Sequence, residues 1–153
     1  MSWRIVRADF SDMQVIDLID LHVRAAYANS PPGRVFALDP GGLRDPAIAV
    51  WSIREEDALL GIGALKRLDD SHAELKSMRT APDHLRRGVA AAMLDHLTVE
   101  ARAGGFTRLS LETGSSPPFA AARTLYARAG FVECPPFGDY TDTTFSRYFT
   151  RAL

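Results

Sequence analysis

Two arginines and a glycine stand at the start of a helical pattern, in the order Arg86, Arg87, Gly88. Apolar residues at helical spacing predict a helix over residues 87–103. The first turn of a helix leaves backbone N–H groups without internal partners, and the helix dipole favours negative charge there. Because the two guanidinium groups favour the same charge, the spacing predicts an anion-binding loop of the kind that holds phosphate.

A tyrosine is the second group that could do chemistry. Tyr126 lies in the stretch 124–131, Thr-Leu-Tyr-Ala-Arg-Ala-Gly-Phe, on a predicted helix that opens at Ser116 and ends at Gly130. A phenol with a pKa of about 10 can donate a proton to a leaving thiolate. The same residue could also pack its helix on a sheet, because Phe119 shares its face. The two roles are compatible.

The composition is that of an ordinary globular chain. Hydrophobic residues make up 46% and charged residues 24% of the 153 positions, which predicts one folded domain over residues 1–153. The net charge of −1 provides no general attraction to nucleic acid or to an anionic membrane, so we expect neither partner. The local basic group of Arg79, Arg86 and Arg87 leaves a nucleic-acid interface as an alternative, to be tested by salt dependence.

Cysteine and histidine usage argues against disulfides and metals. Cys134 is the only cysteine, so the chain forms no internal disulfide, as is typical of a reducing compartment. The four histidines, His22, His72, His84 and His96, lack zinc-site spacing, and we expect no metal. No apolar run suits a signal peptide or a membrane helix. We therefore expect a cytoplasmic protein.

The elements that must position these groups alternate between strands and helices. The patterns predict strands over residues 3–8, 47–54, 59–68, 73–80, 108–113, 131–134 and 144–150, and helices over 12–28, 87–103 and 116–130. A connection over 29–46, rich in proline and glycine, has a length that is often functional in compact domains. This order predicts an α/β layer architecture with a mixed sheet.

The order of elements and the two motifs together resemble the GNAT superfamily of acyl-CoA-dependent N-acyltransferases, over nearly the whole chain. The family's pyrophosphate loop, Gln/Arg-x-x-Gly-x-Gly/Ala, corresponds to residues 85–90, where Gly88 and Ala90 match and Leu85 departs. The family's later motif, Leu-Tyr-x-x-x-Gly-Phe, is intact over residues 125–131. Either motif alone is short, and the resemblance depends on both standing on the expected elements.

The resemblance implies a single-domain GNAT-like α/β fold. Its sheet would be mixed and mostly antiparallel, with six or seven strands, helices on both faces and a splay at the central strands. The resemblance also implies acetyl-CoA as co-substrate, held by backbone groups of the strand over 73–80 and by the loop before the helix. The residues expected to contact it are Met78, Arg79, Thr80, Arg86, Arg87, Gly88, Val89, Ala90 and Ala91.

The resemblance further implies a division of roles in catalysis. Tyr126 would protonate the departing thiolate, and Glu74, or a water that it holds, would take the proton of the attacking amine. Strand alternation places Glu74, Lys76 and Met78 on one face. The residues expected to contact the acceptor are His22, Tyr27, Glu112 and Thr113, with the loop around Arg34 beside them. The alternative interpretation is that Glu74 and Glu112 are ordinary charged or capping residues at the ends of strands.

We therefore expect an N-acetyltransferase that moves an acetyl group from acetyl-CoA to a primary amine of a small molecule by direct attack, without a metal. The alternative is a non-catalytic acyl-CoA-binding sensor or structural module with the same fold. Two departures motivate that alternative: Leu85 in the loop, and Phe119 where the family often has an asparagine near the CoA arm. Relatives in the family are often homodimers, frequently through their final strands, which leaves the oligomeric state open.

Overall fold

The computed structural model describes residues 2–153, and its elements follow the predicted order. The strands are β1 (Trp3–Arg7), β2 (Ile48–Glu55), β3 (Ala58–Arg67), β4 (His72–Thr80), β5 (Arg108–Gly114), β6 (Val132–Cys134) and β7 (Ser146–Ala152). The helices are α1 (Met13–Asn29), α2 (Val89–Ala103) and α3 (Ala120–Arg128), with short 3₁₀ turns at Gly42–Arg44, Pro82–His84 and Pro117–Phe119. α3 begins later than the predicted Ser116 because the turn before it, Pro117–Phe119, is 3₁₀, with the N–H of Phe119 donating to the carbonyl of Ser116 at 3.0 Å.

One sheet contains all seven strands, in the order β1-β2-β3-β4-β5-β7-β6. Neighbouring strands are antiparallel except for β4 and β5, which are parallel. α1 packs on one face of the sheet, and α2 and α3 pack on the other. The predicted α/β fold, with a mixed and mostly antiparallel sheet and helices on both faces, is confirmed.

Each helix is held on the sheet by one apolar face. On α1, Val15, Leu18 and Ile19 are at most 5% exposed and pack against β2 and β3. The side chain of Asp12 caps α1 by accepting a hydrogen bond from the backbone N–H of Gln14 at 2.9 Å. The apolar faces of α2 and α3 pack on the opposite side of the sheet. Among residues 2–153, no helix combines the length and the apolar character needed to cross a membrane.

Two glycines of β3 let α2 lie close to the sheet. A Cβ atom on Gly63 would come within 2.7 Å of Met93 Cγ and 2.9 Å of Leu97 Cδ1, closer than carbon atoms tolerate. A Cβ atom on Gly61 would lie 2.9 Å from Val89 Cγ1. The absence of these side chains therefore sets how near the first turn of α2 comes to the centre of the sheet.

β4 and β5 separate soon after they begin. Their pairing is confined to residues 72–74 opposite residues 108–110. Beyond that point β4 follows β3, while β5 stays paired with β7 as far as Gly114. The predicted splay is confirmed, and it opens a gap in the middle of the sheet with the backbone of β4 along one edge.

A β-bulge in β4 changes which of its side chains share a face. The register against β3 shifts by one residue between Ile62 and Ala64, and Ser77 on the opposite strand has a φ of 56°. Beyond the bulge, Arg79 lies opposite Ile62. Met78 packs in the cluster that includes α2.

The alternation predicted from the sequence is therefore wrong at Met78. Met78 joins Leu75 among the side chains packed with α2, while Glu74 and Lys76 point to the other face. The physical reason is the extra residue at the bulge, which reverses the inside–outside order of everything after it. A serine in the left-handed region gives no local signal of this, because glycine is the usual residue there.

Candidate active site

A cavity of about 670 Å³ opens along the gap between β4 and β5. This volume lies within the range of small-molecule and cofactor sites. Its walls come from both layers of the fold: α1 and residues 34–37 on one side of the sheet, and the first turn of α2 together with α3 on the other. The cavity thus connects the anion-binding loop with the acidic side chains of β4 and β5.

The loop before α2 presents three backbone N–H groups without partners. α2 has no side-chain cap, and its first hydrogen bond joins the N–H of Ala92 to the carbonyl of Gly88 at 3.0 Å. Within residues 2–153, no group accepts a hydrogen bond from the N–H of Val89, Ala90 or Ala91. Gly88 has a φ of 85°, and nothing lies within 4 Å of the position that a Cβ would take. The loop is open toward a ligand.

The two arginines of the loop point to different places. Arg86 lines the cavity and has a φ of 61°, in the left-handed region that favours glycine. Arg87 instead donates to both carboxylate oxygens of Glu55, at 2.9 and 3.1 Å. Its guanidinium lies 5.7 Å from the ring centroid of Trp3. Because this bidentate pair holds it outside the cavity wall, the structure does not bring the Arg87 side chain to the predicted phosphate site.

Glu74 is a buried carboxylate with two partners. Its side chain is 3% exposed, and its Oε2 accepts hydrogen bonds from the Tyr140 hydroxyl at 2.5 Å and from Lys76 Nζ at 3.3 Å. Burial and the negative charge of Glu74 raise the pKa of Tyr140, so the phenol keeps its proton and donates it to the hydrogen bond. Both partners of Glu74 thus come from the cavity wall itself.

Glu112 is the second carboxylate of the cavity and lies near the end of β5. Burial raises its pKa to about 6, an effect that the positive charge of Lys76 opposes and the negative charge of Glu74 reinforces. At neutral pH the group is still ionised, but its proton affinity is higher than that of an ordinary glutamate, which suits a general base. Two carboxylates in different environments therefore share one wall.

Tyr126 packs in the α3 layer and also reaches the cavity. The residue is 7% exposed, its ring meets Phe131 edge-on at a centroid distance of 5.9 Å, and it forms part of the cavity wall. Burial raises the pKa of its phenol, while the positive charge of Arg79 opposes the rise. In the part of the chain that the structure describes, the hydroxyl has no hydrogen-bond partner. A protonated phenol is therefore available at the wall.

Arg79 and His22 connect β4 to α1 at the cavity. Arg79 Nε donates a hydrogen bond to His22 Nδ1 at 3.0 Å. The pKa of His22 is lowered to about 4 by burial first and then by the positive charges of Arg79 and Lys76. The ring is neutral at physiological pH and can accept this bond. Burial also lowers the pKa of Arg79, and no carboxylate of residues 2–153 pairs with it.

The remaining predicted contacts divide into two groups. Met78, Thr80 and Thr113 belong to the cavity wall. Tyr27 does not, because it is 67% exposed and lies outside the wall. It follows His22 on α1 by five positions, which turns it about 140° away on a helix of 3.6 residues per turn.

Sequence reasoning missed an aromatic wall formed by Phe36 and Tyr140. Their rings meet edge-to-face at a centroid distance of 5.1 Å, and both line the cavity together with Arg34. Phe36 lies in the connection over 29–46, whose length was the only signal available. Tyr140 lies between β6 and β7, and its hydrogen bonds in the folded chain identify it: the hydroxyl donates to Glu74 and accepts from Lys76 Nζ at 3.1 Å.

The chain resembles known sequences over most of its length. The family model described as "Acetyltransferase (GNAT) family" matches residues 15–131. The chain is also similar to YsnE of Bacillus subtilis, a protein named as an N-acetyltransferase. The two are 46% identical over 145 residues, which cover 95% of this chain and 96% of YsnE.

Solved structures share the fold along its full length. A Klebsiella pneumoniae protein described as an acyl-CoA N-acyltransferase has a TM-score of 0.80 at 24% identity, over 99% of this chain and 97% of that chain. YncA of Salmonella typhimurium, whose structure contains its cofactor acetyl-CoA, has a TM-score of 0.72 at 18% identity, over 100% of this chain and 95% of that chain. At these identities the likeness concerns the fold.

Proposed function

The chain belongs to the acetyltransferase (GNAT) family and is an N-acetyltransferase, and from that premise we propose that it transfers an acetyl group from acetyl-CoA to a primary amine of a small molecule. One observation carries the proposal. A single cavity joins three unpartnered N–H groups at the start of α2 to a buried phenol and to a carboxylate of raised pKa. The amine attacks the thioester carbonyl directly, and catalysis comes mainly from aligning the two groups.

The loop before α2 fits the pyrophosphate of acetyl-CoA. Its three free N–H groups and the helix dipole favour a diphosphate, and Gly88 leaves room for that group beside the backbone. Arg86 adds a positive charge at the cavity wall. The pantetheine arm would enter the gap that β5 leaves beside Met78 and Thr80, where its amides can pair with backbone groups. The acetyl-CoA bound to the Salmonella typhimurium protein of the same fold supports this assignment.

We assign the proton of the attacking amine to Glu112, acting directly or through a water. A free alkylammonium titrates at about pH 10, so the amine must lose a proton before or during the attack. Glu112 is ionised at neutral pH with a pKa of about 6, while Glu74 is engaged with Lys76 and Tyr140. Glu74 is the alternative base, and its negative charge also assists Glu112 by raising the proton affinity of that group.

Tyr126 is the proposed proton donor to the departing thiolate. As the C–S bond breaks, negative charge develops on the sulfur, and the unpartnered phenol can donate its proton there. Burial raises the pKa of the phenol, but the same surroundings raise the pKa of a buried thiol, so the two proton affinities move in the same direction. The products are an N-acetylated amine and CoA with its thiol protonated.

The test is CoA release from acetyl-CoA against a panel of primary amines, with acetyl-CoA affinity measured by calorimetry. Tyr126→Phe is the matched variant, because it keeps the buried ring against Phe131 and removes only the hydroxyl. We expect turnover on at least one class of amine, a kcat about 100-fold lower in the variant, and an unchanged Kd for acetyl-CoA.

Two results would contradict the proposal at different levels. Full turnover in Tyr126→Phe would remove the hydroxyl from the mechanism and leave the acetyl transfer intact. Binding of acetyl-CoA without CoA release on any amine would count against transfer to small amines and in favour of a non-catalytic module.

A further inference from the structure

The cavity contains a cation for which the proposed reaction has no use. Arg79 is half-buried, and within residues 2–153 its one side-chain hydrogen bond runs from Nε to the ring of His22. No carboxylate of residues 2–153 pairs with its guanidinium. A partly desolvated charge without a counter-ion is costly to the fold. The cost is offset when a ligand supplies the anion.

The side chain of Arg79 lies on the α1 side of the sheet. Its partner on β3 is Ile62, and the side chains of directly opposed residues share a face. Ile62 packs in the cluster with α1, and His22 belongs to α1 as well. The N–H groups of α2 lie on the other face. The side chain of Arg79 therefore leaves the sheet on the face opposite those N–H groups, and its charge also reaches Tyr126 across the gap.

His22 leaves the guanidinium in a geometry that suits a carboxylate. The bond to His22 uses Nε, so Nη1 and Nη2 remain as the pair of donors that a carboxylate accepts in parallel. Burial and the charge of Arg79 keep the pKa of His22 low, so the ring stays neutral and adds no second charge. Arg79 is thus oriented by a neutral partner and keeps its full charge for a ligand.

We propose that Arg79 binds a carboxylate of the acceptor, and hence that the acceptor is an amine that also carries a carboxylate, an amino acid in the general sense. This inference rests on the acetyl transfer proposed above. Glu112 supplies negative charge for the amine end and Arg79 positive charge for the acid end, so the cavity has the polarity of a zwitterion. Phe36 and Tyr140 add an aromatic wall beside these charges.

The test compares each L-amino acid with the amine formed by its decarboxylation, for example phenylalanine with 2-phenylethylamine, in the CoA-release assay. Arg79→Met removes the charge, and Arg79→Lys keeps the charge without the fork. Arg24→Met is the matched control, because Arg24 is exposed on α1 and lies outside the cavity wall.

We expect the wild-type kcat/KM to be about 30-fold higher for the amino acid than for its amine in the preferred pair. That ratio should fall to near one in Arg79→Met, take an intermediate value in Arg79→Lys and stay unchanged in Arg24→Met. Equal turnover of both members of every pair, or a ratio that survives in Arg79→Met, overturns the inference and leaves the acetyl transfer standing.

The Kd for acetyl-CoA distinguishes two anions that Arg79 could bind, the carboxylate of the acceptor and the phosphates of CoA. It also shows whether the variant is folded. An unchanged Kd in Arg79→Met supports the acceptor carboxylate, whereas a Kd that rises tenfold or more assigns Arg79 to the phosphates of CoA and overturns the inference. A wild type that fails to bind acetyl-CoA refutes the proposed function itself.

If the wild type binds acetyl-CoA but turns over no amine, a binding measurement tests the carboxylate site. The Tm of the CoA complex is recorded with deaminated acids such as 3-phenylpropionate. A rise that disappears in Arg79→Met supports the carboxylate site, and the absence of any rise overturns it.

Discussion

The two halves of the cavity are built in different ways. On the α2 side, the loop half (residues 85–91) offers a ligand backbone N–H donors in the first turn of a helix. On the α1 side, the side-chain half consists of His22, Phe36, Glu74, Lys76, Arg79, Glu112 and Tyr140. The loop half depends on the conformation of one short segment, and the side-chain half depends on which distant residues the fold brings together.

This difference determines how each half responds to substitution. A substitution changes a side chain but leaves the backbone N–H of that residue in place. The ligand affinity of the loop half should therefore depend on the charge of its side chains and on its backbone φ values. In the side-chain half each functional group belongs to one side chain, so a single substitution removes that group from the cavity. The loop half therefore suits a ligand that never changes, such as a cofactor, while the side-chain half determines what is particular to the acceptor.

The largest effect is expected from Glu112→Gln, which removes one group of the side-chain half. We expect kcat to fall about 1,000-fold with an unchanged Kd for acetyl-CoA. Because the pKa of Glu112 is raised to about 6, this base is mostly protonated, and so inactive, below that pH. The wild-type rate should therefore rise with pH through about 6 and then level off, and Glu112→Gln should lack this limb. A pH–rate profile from pH 5 to 9 measures both.

Glu74→Gln is the matched control for that profile. The negative charge of Glu74 raises the pKa of Glu112, so its removal should move the acid limb to lower pH without abolishing it. A limb that survives in Glu112→Gln and disappears in Glu74→Gln would identify Glu74 as the base.

Ala91→Asp should separate binding from folding in the loop half. An aspartate in the first turn of α2 complements the helix dipole, so the free energy of unfolding should stay the same or rise by about 0.5 kcal/mol. The same carboxylate would compete for the N–H groups and repel a diphosphate, so the Kd for acetyl-CoA should rise about 100-fold. Calorimetry and urea unfolding measure the two. Equal weakening by Ala91→Asn would mean that bulk, and not charge, is what the loop rejects.

The fold could be predicted from the sequence because its signals are local and repeated. The apolar period over 87–103 predicts α2 to within two residues of its start at Val89. The bulge in β4 could not be predicted in this way. Ser77 takes a left-handed φ of 56° because of how β4 pairs with β3, and that pairing is long-range.

The candidate site divides along the same line. The loop half is one contiguous motif, and the structure places its backbone as the motif predicts. In the side-chain half, the hydrogen bond between Tyr140 and Glu74 spans 66 positions, a separation at which only tertiary packing determines contact. Arg87 shows the converse case: a local motif predicts a phosphate ligand, while the structure pairs its guanidinium with Glu55, 32 positions away.

A smaller effect is expected from pH on the stability of the side-chain half. The pKa of His22 is about 4 in the folded state, below its ordinary value of about 6.5 in an unfolded chain. The native state therefore favours the neutral ring, and stability should be lost as pH falls below about 6.5. Between pH 7 and pH 5 we expect this group to cost about 2 kcal/mol. Urea unfolding at both pH values measures the loss.

His22→Gln serves as the reference for that measurement, because glutamine can accept from Arg79 and does not titrate. Burial also lowers the pKa of His72, which therefore contributes to the same loss of stability. This contribution cancels when the loss in unfolding free energy of the variant is subtracted from that of the wild type. A wild type that loses no more stability than His22→Gln would mean that His22 charges freely and that the cavity is wetter than its packing indicates.

The smallest effect tests whether Arg86 acts through its side chain or through its backbone. Its φ of 61° is unfavourable for any residue with a Cβ. Arg86→Ala keeps that backbone strain and removes the guanidinium, and Arg86→Gly removes both. We expect the glycine variant to be more stable than the alanine variant by about 0.5 kcal/mol in urea unfolding, and both to weaken acetyl-CoA binding to the same, several-fold extent.

The pair of variants decides what the loop half requires. Equal affinities mean that α2 orients the N–H groups and that the arginine only adds attraction. Much weaker binding by Arg86→Gly than by Arg86→Ala would mean that the loop needs a Cβ to hold its shape, and the contrast between the two halves would then be smaller. The packing of Val89 against Gly61 favours the first result, since it fixes the start of α2 without any contribution from Arg86.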